Sequence, residues 1–371
     1  VTARLLEDER FVLQCLLLVL GERGPLQHDE LRSFLSPTAQ ARLADRWVSD
    51  AMWSFIAHGF GDAVPSDSLV HRLNRAMMLI DRAKARVIAP ALQALEDDVT
   101  EVAIVKGADL QSTVYPPTLA RCAADVDIVV RADDLGDVER VLLARAFRFG
   151  DFDPVEGGVL PFSEETLAAA RANKHYELAS LVQPYEEPEL RAYEDLEARL
   201  KQAYKCLSFG PSVPKIGVEL DVHWNILLGF DADTFWEETI PARYGGVEVR
   251  VANRAATLCY VATRCYHEMF SGAARFRDFC DVVALLSRTP SFDWSRVIEL
   301  VRRYNFGPAL FYLGHHACRV LGRAVVPPEV LEIADPGHPE QMKRPEMLRN
   351  HHLGDITARL LWRGVPTPFS M

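Results

Sequence analysis

The stretch Ala103-Ile104-Val105-Lys106-Gly107, a turn at Pro116-Pro117, and then Ala124-Asp125-Val126-Asp127-Ile128-Val129-Val130 decides how the 371-residue chain is organised. Val102 to Val105 and Val126 to Val130 are short β-branched runs bounded by turn signals, the pattern of buried strands. Lys106-Gly107 breaks the first run, and Ala108 to Val114 has the spacing of a short helix. Asp125 and Asp127 stand two apart, so on a strand both side chains leave the same face. Two carboxylates inside an apolar run are costly unless a cation sits beside them, and this is the first sign of chemistry.

Working outward, Asp133 or Asp134 is placed to cap a helix through Val138, Val141, Leu142 and Ala146, which completes a strand, helix, strand, helix unit. Upstream, from Leu5 to Asp97, apolar residues recur only at helical spacing. The last of these helices starts after Ser66 or Ser68 and runs through Leu73, Met77, Ile80 and Val87 toward Leu95, with Pro90 expected to kink or restart it. Downstream, residues 151–216 are rich in Pro, Glu and Gly and read as an insertion between strands of one sheet. They carry a strand over Asn173 to Ala179 and a helix from Glu189 to Ala203.

Val218-Glu219-Leu220-Asp221-Val222-His223-Trp224 then alternates strictly. It places Glu219, Asp221 and His223 on one face, and Val218, Leu220, Val222 and Trp224 on the other, toward the core. Gly246 to Val251 is a last strand. Helices follow over Ala255 to Met269, Phe276 to Leu286, Trp294 to Arg303 and Pro308 to Leu321, with one more in the tail near Leu353 to Leu361. The expected fold is mixed α/β (α+β), with a central mixed β-sheet core over residues 99–252. An N-terminal helical region (1–98), a C-terminal helical region (253–326) and a tail (327–371) flank it.

Composition narrows the function. A formal net charge of -11 argues against dependence on non-specific attraction to nucleic acid, and 49% hydrophobic residues suffice for a substantial core. The 7 cysteines are scattered and form no C-x-x-C pair, so neither a zinc site nor a disulfide framework is written here, and a reducing cytoplasm is expected. Val12 to Leu20 follows Glu7-Asp8-Glu9 and is too short to span a bilayer, so neither a signal peptide nor a membrane helix is expected. The adjacent pairs His315-His316 and His351-His352 face different directions and make poor metal sites.

The chemistry-bearing residues form an ordered set. Asp125 and Asp127 suit a hard divalent ion such as Mg²⁺, with Asp221 as the third acid and Glu219 as its rival on the same face. Gly107 at a strand-to-helix turn lets backbone N–H groups approach a phosphate, and a helix starting there points its positive end at the same anion. Lys106 adds a mobile charge and Arg121 a planar fork for carboxylate or phosphate. His223 is read equally as a site residue and as a hydrogen-bonded structural histidine. His175 and Glu177 lie on one side of their strand, within reach of an acceptor or on a solvated edge.

The order Lys106-Gly107, Tyr115-Pro116, Arg121, Asp125-x-Asp127 and Asp221-x-His223-Trp224 resembles the uncharacterised nucleotidyltransferase family of the polymerase-β-like superfamily. A weaker likeness continues through His267 and Arg275-Phe276-Arg277-Asp278-Phe279-Cys280-Asp281, so it covers about residues 100–290. Lys106-Gly107-Ala108 replaces the superfamily's usual Gly-Ser turn, and Cys122-Ala123-Ala124 differs from the usual residues before Asp-x-Asp. The resemblance implies transfer of a nucleoside monophosphate from an NTP, ATP by default, to a hydroxyl of a small molecule or peptide. It implies two Mg²⁺ ions held by Asp125, Asp127 and Asp221, with Asp221 taking the acceptor's proton. Two alternatives stay open: a non-catalytic nucleotide-binding scaffold on the same fold, and a phosphotransferase using the same site.

Overall fold

The computed structural model describes residues 2–48, 51–99, 101–121, 123–172, 177–210, 212–226, 231–271, 275–289, 291–304 and 306–335. The chain begins with helices α1 (Thr2–Val19), α2 (His28–Leu31), α3 (Pro37–Arg46), α4 (Trp53–Phe60) and α5 (Leu69–Asp98). It then alternates through β1 (Ala103–Val105), α6 (Lys106–Thr113), β2 (Asp125–Val129), α7 (Leu135–Ala144), β3 (Arg148–Phe152), β4 (Val159–Pro161) and α8 (Glu164–Ala172). Next come β5 (Leu181–Glu186), α9 (Glu197–Ala203), β6 (Leu207–Ser208), β7 (Lys215–His223), α10 (Ala232–Glu237), β8 (Thr239–Tyr244) and β9 (Val247–Ala252). Five helices close the described chain: α11 (Arg254–Ser271), α12 (Phe276–Arg288), α13 (Trp294–Tyr304), α14 (Gly307–Leu321) and α15 (Pro328–Ala334).

Two compact units divide these elements: residues 1–43, 55–64 and 254–371 in one, and residues 44–54 and 65–253 in the other. The second unit holds a 9-stranded sheet in the order β4-β3-β5-β7-β2-β1-β9-β8, with β6 also paired to β7. The β2–β7 and β1–β9 pairs are parallel and the remaining pairs antiparallel, so the sheet is mixed as expected. In the first unit the helices bury aromatic side chains, with Phe11 stacked on Phe34 at 4.2 Å between ring centroids and Phe276 and Phe279 fully enclosed.

Strand alternation sorts the two faces of the sheet. Val126 and Ile128 of β2, and Val218, Leu220 and Val222 of β7, join Leu73, Ile80, Ile88, Leu92 and Leu95 of α5 in one apolar core. Helix α5 is 30 residues long and continues through Pro90 as one helix, so Pro90 does not restart it. A proline inside a helix costs about 3 kcal/mol. Here Val87, Ile88, Ala89, Ala91 and Leu92 are buried on both sides of it, and that apolar burial outweighs the lost hydrogen bond.

Three further details differ from the sequence pattern. Residues 151–216 supply β4, β5 and β6 to the same sheet, with β5 seated between β3 and β7. Strand β8 pairs with β9 as a hairpin closed by Gly245-Gly246, whose φ values of 57° and 90° need glycine. β8 carries Pro241 and lies outside the strands expected from the sequence; the proline is tolerated because β8 is an edge strand. Trp224 lies past the end of β7 and is half-buried beside Phe149 and Leu178, so it is not a core residue of the strand.

Candidate active site

The site grows from one register. Parallel pairing of β2 and β7 sets Asp125 opposite Glu219, Asp127 opposite Asp221 and Val129 opposite His223. Antiparallel pairing of β1 sets Val105 opposite Asp127, which delivers the residue after it, Lys106, to the same place. Lys106 has φ 54°, a left-handed backbone that costs a non-glycine residue roughly 1–2 kcal/mol and that aims its side chain back over β2. Its ammonium contacts Asp127 Oδ1 and lies 3.3 Å from Nε2 of His223.

Asp127 and His223 are both buried, and Nε2 of His223 is 2.9 Å from Asp127 Oδ1. Burial alone would raise the Asp127 carboxyl, but the His223 hydrogen bond and the Lys106 charge overcome it and hold the group at about 2. Asp221 behaves oppositely. Burial, followed by the negative charges of Asp125 and Asp127, pushes its carboxyl up to about 8. Glu219 is also raised, first by burial, although it accepts a hydrogen bond at 2.9 Å from the Cys206 thiol.

Gly107 is required by its neighbours. A Cβ there would run into the guanidinium of buried Arg121 and come within 2.8 Å of the Ala123 methyl. Arg121 is fixed in turn by its backbone N–H, which donates to Gln111 Oε1 at 2.6 Å. The Lys106 ammonium therefore sets a positive charge against the Asp127 carboxylate, and Arg121 packs its guanidinium against Gly107 of the same turn. A cavity lined by Lys84, Gly107, Gln111, Ala123, Asp125 and Tyr244 adjoins them.

Most of the residues singled out in the sequence converge here. Asp127, Asp221 and His223 bring one ligand atom each to within 4.8 Å of one another, a group able to hold a metal ion. Asp125 stands one register step away on the same face and is not part of that group, although its charge reaches Asp221. Glu177 forms an isolated antiparallel bridge with His223, and its Oε2 lies 3.4 Å from Nδ1. His175 lies outside the described residues, as does Cys122. Among the helical matches, His267 and Arg275 are exposed while Arg277 and Asp281 are buried on α12.

Sequence reasoning missed Lys84. It is 3% exposed, bonds the Ala123 carbonyl, pairs with Asp81 at 2.8 Å and so ties the loop before Asp125 to α5. The signal was present, because Lys84 falls on the same helix stripe as Met77, Ile80, Val87 and Ile88, where a lysine is out of place. Asp109, fully buried on α6 and accepting from Thr113 Oγ1 at 2.8 Å, was also missed; an acid in the first turn of a helix gave the only hint.

Two carboxylates, one of them driven toward neutrality by burial and then by the negative charges beside it, and one imidazole fit a divalent cation, which relieves that repulsion. Fold and donor set together define the class: a mixed-sheet α/β protein with a group of side chains able to hold a cation beside a strand-to-helix turn. A model of the uncharacterised nucleotidyltransferase family matches residues 46–322, and the chain belongs to that family. No curated protein and no solved structure matches it. Family membership supports nucleotidyl transfer. Among the described residues no helix is long and apolar enough to cross a membrane.

Proposed function

We propose that the protein is a metal-dependent nucleotidyltransferase that moves a nucleoside monophosphate from an NTP, ATP in the first instance, to a hydroxyl of a small molecule or peptide in the cytoplasm. The observation that carries the proposal is the convergence of Asp127, Asp221 and His223 beside the Lys106-Gly107 turn. Asp127, Asp221 and His223 would hold a divalent cation, with Asp125 beside them at the cavity edge. When bound, the cation supplies Lewis-acid stabilisation of charge on the phosphoryl oxygens, and Mg²⁺ is the ion that accompanies the NTP.

The chain's own groups do the positioning. Lys106, Arg121 and the first N–H groups of α6 bind the triphosphate, and the missing side chain of Gly107 leaves room for the Arg121 guanidinium beside that turn. The acceptor oxygen attacks the α-phosphorus, the bond from that phosphorus to the bridging oxygen breaks, and pyrophosphate leaves. Asp221 takes the hydroxyl proton.

Incubation with each NTP, Mg²⁺ and a panel of hydroxyl-bearing acceptors tests this, with pyrophosphate measured and products weighed by mass spectrometry. A nucleoside-monophosphate adduct with stoichiometric pyrophosphate is expected. An adduct heavier by a single phosphoryl group would replace the proposal with phosphotransfer, and binding without any product would replace it with a scaffold role.

A further inference from the structure

The donor set of this site is not that of an all-oxygen magnesium site. Asp127 and Asp221 bring oxygen, but the third member, His223, brings nitrogen, and it is 1% exposed. Strand alternation leaves it no choice of face. His223 is two residues after Asp221 on β7, so its ring leaves the sheet on the carboxylate side. The nitrogen turned into the cluster is Nε2, at 2.9 Å from Asp127 Oδ1.

The opposite ring nitrogen faces a carboxylate, with no hydrogen bond formed between them. Nδ1 lies 3.4 Å from Oε2 of Glu177, and the backbone holds Glu177 there through its bridge to His223 and the hydrogen bond from Leu178 N–H to the Val222 carbonyl at 2.8 Å. Without a metal Nε2–H donates to the Asp127 carboxylate; a dication that takes the Nε2 lone pair leaves the ring proton on Nδ1, beside the Glu177 carboxylate. Neutral imidazole suits first-row transition ions, whereas Mg²⁺ takes oxygen ligands and retains waters.

We propose that the Asp127–Asp221–His223 cluster selects a first-row transition dication over Mg²⁺, with Glu177 as the positioning residue that fixes the His223 tautomer. Mg²⁺ then remains the ion that travels with the nucleotide, whose phosphates offer only oxygen. The proposal rests on the cation site of the function proposed above and adds its selectivity.

The full chain, stripped with chelator and free of nucleotide, is titrated with Co²⁺ alone and with Mg²⁺ alone, and the visible absorption of bound Co²⁺ is recorded. Wild type is expected to bind Co²⁺ at least about 100-fold more tightly than Mg²⁺. Glu177→Gln is expected to weaken Co²⁺ by roughly 10-fold while leaving Mg²⁺ nearly unchanged. His223→Gln is expected to lose most of the preference and to change the Co²⁺ spectrum. Because His223 is buried and its variant risks misfolding, Glu177→Gln, at a carboxylate half exposed to solvent, keeps the test decisive. A Co²⁺ to Mg²⁺ ratio that neither variant moves, or a wild type with no preference, overturns the proposal. Transfer supported fully by Mg²⁺ in His223→Gln would overturn the selectivity and leave nucleotidyl transfer standing. Selective Co²⁺ binding lost in both variants, with no NTP consumed by wild type, would do the reverse.

Discussion

On β2 and β7 neighbouring residues meet opposite surroundings. Val126, Ile128, Leu220 and Val222 are buried against the apolar stripe of α5, while on the other face Asp125, Asp127 and Asp221 crowd like charges beside Lys106 and His223. The first set stabilises the sheet through apolar burial. The second splits its acids: the His223 hydrogen bond and the Lys106 charge hold Asp127 near 2, while burial and then the neighbouring carboxylates push Asp221 up to about 8. Such divergence between adjacent acids marks a face shaped by function, since packing alone would have been served by apolar residues in both places.

Substitutions on the two faces should therefore separate activity from stability. Asp127→Asn is expected to cut transfer by about 1000-fold or more, which is about 4 kcal/mol of lost transition-state stabilisation, while circular dichroism still reports a folded chain. Equal turnover in that variant would place the chemistry elsewhere. One residue along, Ile128→Ala should do the opposite. It should lower unfolding free energy by about 2–5 kcal/mol in denaturant titration and spare the turnover of the molecules that remain folded.

Asp221→Asn sharpens the contrast through pH. Its carboxyl is raised in the folded state, so its contribution is fully present below pH 4 and is lost as pH rises through about 8. In chelator-treated protein the asparagine variant should thus be more stable than wild type at pH 8, by about 1–3 kcal/mol, and lack that decline while being inactive. Melting curves at pH 5 and pH 8 measure it; a variant less stable than wild type at both contradicts the electrostatic picture. The smallest effect is expected at Gly107→Ala. A methyl displaces Arg121 and crowds Ala123, so it should raise KM for the NTP about 10-fold, near 1.4 kcal/mol, and lower unfolding free energy by about 1 kcal/mol.

Much of this contrast was legible in the sequence because it rests on alternation. Asp125-x-Asp127 and Glu219-x-Asp221-x-His223 each state their face without any tertiary knowledge. The mixed sheet and its flanking helices followed from the same periodicities. Register was not legible: nothing local says that Asp127 lies opposite Asp221, or that Nε2 of His223 completes a cluster from which Asp125 is one step removed. Strands β5 and β8 carry Pro184 and Pro241, which argue against strand in a local window and are accommodated only by their particular neighbours in the sheet. Lys84 could be noticed only as a lysine out of place on an apolar stripe, and Pro90 does not restart α5 because burial along the helix outweighs its local penalty.

The most direct measurement follows labelled phosphate. With an NTP labelled at the α-phosphorus, wild type should carry the label into an acceptor and release unlabelled pyrophosphate, and Asp127→Asn should carry none. Label reaching the acceptor only from the γ position, or undiminished α-label transfer by Asp127→Asn, would contradict the assignment of the β2–β7 carboxylate face as a nucleotidyltransferase site.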